Sequence, residues 1–341
     1  MQKRRVVLIN KSGSINYNYI GLQALYERLR NDHPIKALIH SKVMSVKAGI
    51  NGEAIIEGIF NKYAFPFEYN IMFDLNLSAD GKFQIDALFI SRHYILMLES
   101  KNIIGELSFE REPFCLRRKL ESGHVDIFES PEVQLERNLN MLHRWLENRG
   151  IQIPLVGAIV LSSTKSEIIK PPENACIMYP SSIPNFIWNQ SRKAAFLSTN
   201  QLEELSKSIL KAHKDYYPYP MCKAWGIDSN DLIKGVRCKV CNKIGMRRVI
   251  RTWKCPHCLN QHKDAHILAI KEWFMLVGEE MTNSDCRSFL KIEKSQTATR
   301  LLQSMKLKTI GEGKGAKYKM SRKMLNGHKI IYPVIKNSMR S

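Results

Sequence analysis

The sequence predicts an α/β protein in two parts. Strands interspersed with helices come first, and a small cysteine-bound module with a basic α+β tail follows. Three observations lead there. Short apolar runs of strand length, at 85–90, 94–98 and 155–161, alternate with stretches whose apolar residues recur at helical spacing. Four of the eight cysteines fall in two CxxC pairs, CKVC at 238–241 and CPHC at 255–258. The net charge of +20 is also uneven, because residues 222–341 hold 25 Lys/Arg against 9 Asp/Glu, a net of +16. A hydrophobic content of 44% with 25% charged residues describes a soluble globular chain and argues against disorder. No apolar run approaches the roughly 20 residues that span a bilayer. The basic start, MQKRRVVLIN, is followed by too few apolar residues for a signal peptide, so a cytoplasmic protein without a membrane partner is expected.

Taken in order, residues 1–46 predict a strand at 6–9, a helix at 19–30 and a basic connector. A helix at 51–63 follows, with Asn51 as N-cap and Ile55, Ile56, Ile59, Phe60 and Tyr63 on one face. On a helical wheel Glu53 sits about 90° from the centre of that face, and Glu57 lies farther round toward solvent. Glu53 can therefore look along the core edge into a site, or it can be a first-turn carboxylate at a positive helix end. Runs 85–90 and 94–98 read as an antiparallel hairpin about Arg92. Residues 107–126 read as strands with a loop. Ser130, Pro131 and Glu132 supply a capping hydroxyl, a first-position proline and a first-turn acid for a helix whose stripe is Leu135, Leu139, Leu142 and Leu146. Strands at 155–161 and 175–179 and a helix at 201–213 complete this part. The proline- and tyrosine-rich 216–220 opens an expected linker at 216–232.

The residues that break the apolar rule carry the chemistry. Asp86 interrupts the first hairpin run, and Glu99 and Lys101 end the second. Residues 99 and 101, two apart, share a face of the strand. With the turn centred on Arg92, position 86 faces 98, which leaves Asp86 diagonal to Glu99. Burying unpaired carboxylates is costly. Two oxygen donors beside a lysine suit Mg²⁺ or Mn²⁺, with Asp86, Glu99 and the Ser100 carbonyl as ligands and Lys101 beside the attacking water. A solvent-facing salt bridge is the simpler alternative. Gln134, near the start of the helix after Pro131, could reach this site or remain an exposed polar residue.

Four separated pieces give the pattern its specificity: Lys47-Ala-Gly-Ile-Asn-Gly-Glu53, Gln84-Ile-Asp86, Glu99-Ser-Lys101-Asn102 with Gly105, and Ser130-Pro131-Glu-Val-Gln134. In that order, residues 47–165 resemble the nuclease-related (NERD) domain, a branch of the PD-(D/E)xK nuclease superfamily. The resemblance implies a restriction-endonuclease-like mixed sheet over 47–215, with 1–46 as its extension. It also implies metal-dependent phosphodiester hydrolysis at Glu53, Asp86, Glu99, Lys101 and Gln134. A catalytically inactive DNA- or RNA-binding regulator on the same scaffold is the alternative.

In the second part, Cys238, Cys241, Cys255 and Cys258 match a zinc ribbon at 233–264, where four thiolates close the shell of a structural Zn²⁺. Trp253 can pack against its connector. Residues 265–341 predict three helices and a hairpin, as in a winged helix. A capping box at 282–285 opens the second helix, and Ser295 caps the third. Gln296, Thr299, Arg300 and Gln303 form that helix's polar outer face. Lys314 and Lys317 lie in a glycine-rich wing. The cationic excess favours DNA as partner, with RNA possible. Oligomeric state has no signature in the sequence.

Overall fold

The computed structural model describes residues 7–11, 16–190 and 194–326. β1 (Val7–Lys11), α1 (Tyr17–Arg28) and α2 (Lys36–Lys62) open the chain. α2 is one 27-residue helix, where the sequence predicts a connector and a cap at Asn51. No proline lies between 36 and 51, and Ile39 and Val43, one turn apart, are both buried. Asn51 therefore sits inside a helix. Ile55, expected on the inner face, is 41% exposed, and Ile56 and Phe60 are the buried pair.

Next come β2 (Tyr69–Ser78), β3 (Lys82–Ser91) and β4 (Ile95–Lys101), followed by β5 (Gly105–Arg111), β6 (Phe114–Lys119) and β7 (Val125–Glu129). The helix α3 (Pro131–Glu147) leads to β8 (Leu155–Leu161), β9 (Ser166–Lys170) and β10 (Cys176–Met178). α4 (Ile183–Gln190) and α5 (Thr199–Ala212) end this part. A six-stranded sheet runs β1-β2-β3-β4-β8-β10. β2, β3 and β4 are antiparallel neighbours, whereas β1, β8 and β10 pair in parallel. This is the mixed sheet that the resemblance implies. Leu135 and Leu142 of α3 and Leu202 and Ile209 of α5 pack with Met97 and Ile159. Ile56 and Phe60 of α2 and Ile183 and Ile187 of α4 pack with Phe89, Leu98 and Val160. Burial on both faces explains why β3, β4 and β8 read as unbroken apolar runs. A second sheet, β7-β6-β5-β9, leaves the first at Gly105, which has φ +116° and whose added Cβ would lie 2.5 Å from the Lys119 carbonyl oxygen.

The rest of the chain comprises α6 (Met221–Trp225), β11 (Val236–Arg237), β12 (Ile244–Val249), β13 (Thr252–Lys254) and β14 (Gln261–His262), then α7 (Ala265–Leu276), β15 (Glu280–Thr282), α8 (Asn283–Leu290) and α9 (Ser295–Ser304). β16 (Lys308–Ile310), β17 (Lys317–Lys319) and α10 (Arg322–Asn326) end it. Two compact units divide the molecule: β1 with residues 47–216, and residues 16–46 with 217–326. The expectation that 1–46 extends the first unit is thus corrected for 16–46. Leu22, Leu25 and Leu29 join one core with Ala269 and Trp273 of α7. Fully buried Arg28 donates through Nε to Glu272 Oε2 at 2.8 Å and through Nη1 to the Ile233 carbonyl at 2.7 Å, so its charge is paired rather than stranded. The expected linker at 216–232 is likewise structured, since Met221, Cys222 and Leu232 are buried in that core.

In the tail the order is α7-β15-α8-α9-β16-β17. β15, too short to be read from sequence, pairs with β17. The capping box forms as expected between Thr282 and Asp285. Ser295 does not cap α9: Lys294 holds that position, and the Ser295 hydroxyl donates to Asn283 Oδ1 at 3.1 Å. Among the described residues no helix is long and apolar enough to cross a membrane.

Candidate active site and metal centre

The site grows out of the β3–β4 hairpin. Its pairs are Ala87↔Leu98, Leu88↔Met97, Phe89↔Leu96 and Ile90↔Ile95. Position 86 therefore faces 99 rather than 98. The turn is the two-residue connection Arg92-His93, centred between those residues, and the Ser91 hydroxyl fixes it by accepting the N–H groups of His93 and Tyr94, both at 3.2 Å. The one-residue correction puts Asp86 opposite Glu99. Across the neighbouring pair of strands, Asp74 has φ +50°, a conformation Asp tolerates better than most residues. Around it the strands change layers: Phe73 and Ala87 lie in one core, Leu75 and Ile85 in the other. Asp86 sits at this crossover, half-buried, and its Oδ2 accepts the Ser100 N–H at 2.8 Å.

Glu99 is 2% exposed. Lys101 Nζ donates to Glu99 Oε1 at 2.8 Å and to Gln134 Oε1, also at 2.8 Å. The two strand residues thus share a face, and α3 brings Gln134 to the same ammonium. Ser130, beside it, does not cap α3: its buried hydroxyl has no hydrogen-bond partner among the described residues. Glu132 is buried and accepts the Asn174 N–H at 2.7 Å, tying a loop to α3.

Glu53 reaches the site from α2, held close by contacts the sequence does not advertise. Asn102 Nδ2 donates to the Ala48 carbonyl at 2.9 Å, Ser162 Oγ donates to the Gly52 carbonyl at 3.2 Å, and the Ser100 and Ser162 hydroxyls lie 3.1 Å apart. A Cβ at Gly52 would come within 2.8 Å of Ser100 Oγ and 3.0 Å of Asn102 Cβ, so glycine permits the approach. Asn138, a turn after Gln134, donates to the Gln84 carbonyl at 3.0 Å and pins the end of β3. Ser162 and Asn138 were missed because their partners lie 110 and 54 residues away in sequence.

The electrostatics follow from this crowding. Burial first, then the negative charges of Glu99 and Glu53, push the Asp86 carboxyl well above the usual carboxylate range against the pull of the Ser100 N–H and Lys101. Burial also raises Glu99, opposed by the charge and hydrogen bond of Lys101. Asp86 and Glu99 beside one ammonium, with Glu53 near enough for its charge to act on Asp86, make a donor set that a hard divalent cation would suit.

The second centre is tighter. The Sγ atoms of Cys238, Cys241, Cys255 and Cys258 all lie within 4.8 Å of one another, the one group of three or more candidate ligands so placed among the described residues. The three carboxylates of the first site are not drawn together to that degree. Cys238–Cys258 and Cys241–Cys255 are each 3.5 Å apart, near the roughly 3.8 Å that four thiolates adopt around tetrahedral Zn²⁺. The Asn260 backbone N–H, then its side-chain amide, brings the Cys258 thiol down to about 6, while Cys241, hydrogen-bonded to the other thiols, is pushed up to about 12. Cys258 is therefore the thiol of the pair that gives up its proton first. Trp253 is fully buried behind the ribbon, as expected.

On α9, Gln296, Arg300 and Gln303 are exposed. Thr299 is instead engaged with α8, accepting from Asn283 Nδ2 at 2.8 Å. Lys317 pairs with Glu280 at 3.0 Å, and the Lys314 side chain lies outside the described residues.

Residues 48–162 match the family model of the nuclease-related domain, NERD, an interval that holds every residue of the first site. No curated protein and no solved structure matches the chain.

Proposed function

We propose that the nuclease-related domain of this chain is a metal-dependent phosphodiester hydrolase acting on DNA, held to its substrate by the basic second unit. Asp86, Glu99 and the Ser100 carbonyl would hold Mg²⁺ or Mn²⁺, with Glu53 at the margin of the site. When bound, the cation offsets charge on the scissile phosphate and makes a water more acidic. Lys101 supplies what the chain itself contributes. An ammonium has three N–H donors and no acceptor, and Glu99 and Gln134 occupy two of them. The third is left for the attacking water or a phosphate oxygen. Gln134 and Glu99 fix the ammonium in position, and its charge opposes the negative charge that develops in the transition state. The zinc ribbon and the winged-helix-like tail, with Gln296, Arg300 and Gln303 outward, would grip nucleic acid chiefly through phosphates, which position without specifying sequence.

The observation that carries this reading is the single ammonium bridging the strand carboxylate and the helix amide beside Asp86. Its test is cleavage of plasmid, linear duplex, single-stranded DNA and RNA, with and without Mg²⁺ or Mn²⁺. Asp86→Ala and Lys101→Ala are expected to abolish cation-dependent cleavage while leaving DNA binding intact. Cleavage that persists in both purified variants refutes the site, and preferential cutting of RNA would replace DNA as substrate.

A further inference from the structure

We infer that the β12–β13 hairpin of the cysteine module is a nucleic-acid finger, in which Arg247, Arg251 and Lys254 take backbone phosphates and Ile250 packs against a base at the tip. The inference rests on the reading that this chain acts on nucleic acid, and it adds the surface that does the gripping.

Three observations point to it. Arg247 and Lys254 are directly opposed across the hairpin, and like charges in that relation destabilise a sheet. Both are exposed, and neither they nor Arg251 has an ion pair among the described residues. An anion is what would relieve the repulsion. The fourth cation, Arg248, faces the other way, lying over the buried Trp253 ring at 5.4 Å, so the cations that point outward are a selected set. Residues 233–264 contain nine Lys/Arg and one acid, Asp264, and that acid is already paired with Lys239.

The tip is the second observation. The connection Ile250-Arg251 has Arg251 at φ +56°, where turn chemistry favours Gly or Asn. An arginine there accepts an unfavourable backbone in a place that projects its guanidinium beyond the strands. The third is Ile250 itself, 92% exposed. An isoleucine that bare has no packing role in the fold. Flanked by Val249 and Arg251 at the end of a cationic ribbon, it has the character of the apolar wedges that enter a groove and lean on a base step. A two-stranded ribbon is also narrow enough to enter the major groove.

Anisotropy titration of a short fluorescein-labelled duplex DNA across a salt series tests this on the full zinc-loaded chain, without added Mg²⁺ or Mn²⁺, so that binding is read apart from cleavage. Replacing Arg247, Arg251 and Lys254 together by Ala is expected to make the slope of log K against log salt shallower by about 2 to 3. Ile250→Ala is expected to weaken binding about tenfold with the slope unchanged, since it removes apolar burial and no charge. Alanine at exposed Lys207, Lys211 and Lys214 controls for net charge alone. A hairpin triple variant that binds like this control overturns the finger, even if the domain cleaves. Unchanged affinity in Ile250→Ala overturns the base contact. Loss of binding to anionic lipid vesicles with DNA binding intact overturns the choice of ligand. If the triple variant loses zinc, Arg251→Glu, outside the strand pairs, takes its place, with the slope expected to become shallower by about 1. A wild type that binds and never cleaves defeats the nuclease reading, and the finger is then judged on the slopes alone.

Discussion

At the scale of single residues, Lys101 ties the site together. Gln134 touches the ammonium and no reacting atom, so it is a positioning residue. Gln134→Ala is expected to lower kcat by about 10- to 100-fold with KM little changed. A rise in KM alone would mean that Gln134 binds substrate instead. Asp86, Glu99 and Lys101 were legible in the sequence because charges ending apolar strands are costly without a purpose. The one-residue register error came from the Ser91 hydroxyl, which fixes a two-residue turn that no periodicity reveals. In the second unit, His266 accepts from Trp253 Nε1 at 3.3 Å, and burial, then Arg248, lowers it to about 4 from 6.5. The unfolded chain therefore binds the proton more tightly, and stability falls as pH drops from about 6.5 toward 4. Relative to His266→Gln, wild type is expected to lose up to about 3 kcal/mol across that window in urea unfolding. A pH-independent difference would show that His266 does not stay neutral.

At the scale of elements, the approach of α2 to β4 is decided by absent atoms. Gly52→Ala puts a methyl against Ser100 and Asn102 and is expected to destabilise by about 1 to 3 kcal/mol and to reduce cleavage by displacing Glu53. Gly58→Ala, whose Cβ meets nothing within 4 Å, is expected to stabilise the same helix by about 0.5 to 1 kcal/mol. Denaturant unfolding of the two variants checks the contrast, and equal effects would mean that α2 is not closely docked. The central strands and α3 were legible from apolar runs and a clear stripe. The first half of α2 was not, because the Ile39–Val43 pair lies among Lys36, His40 and Lys42 and makes too short a stripe to show a helical period. Nor was β15, whose three residues gain their conformation by pairing with β17.

At the scale of the whole molecule, the asymmetry of charge survives folding as an asymmetry of units. Residues 16–46 with 217–326 hold 26 Lys/Arg against 11 Asp/Glu, a net of +15, and residues 47–216 hold 19 against 21, a net of −2, a division that suits the second unit to a polyanion. The zinc ribbon was legible because CxxC spacing encodes its own geometry. The membership of α1 was not, since Arg28 finds Glu272 across 244 residues of sequence. Cys258→Ala is expected to release zinc and open residues 236–262 to protease while 47–216 stays resistant, as mass mapping of the fragments would show. Uniform resistance would mean that the ribbon stands without its metal. The central claim concerns the other cation. Calorimetric titration of Mn²⁺ into the zinc-loaded wild type and into Asp86→Ala tests it most directly. A binding event present in the first and lost in the second is the predicted result. Identical heats in both would contradict a metal site at Asp86 and leave the domain as a scaffold.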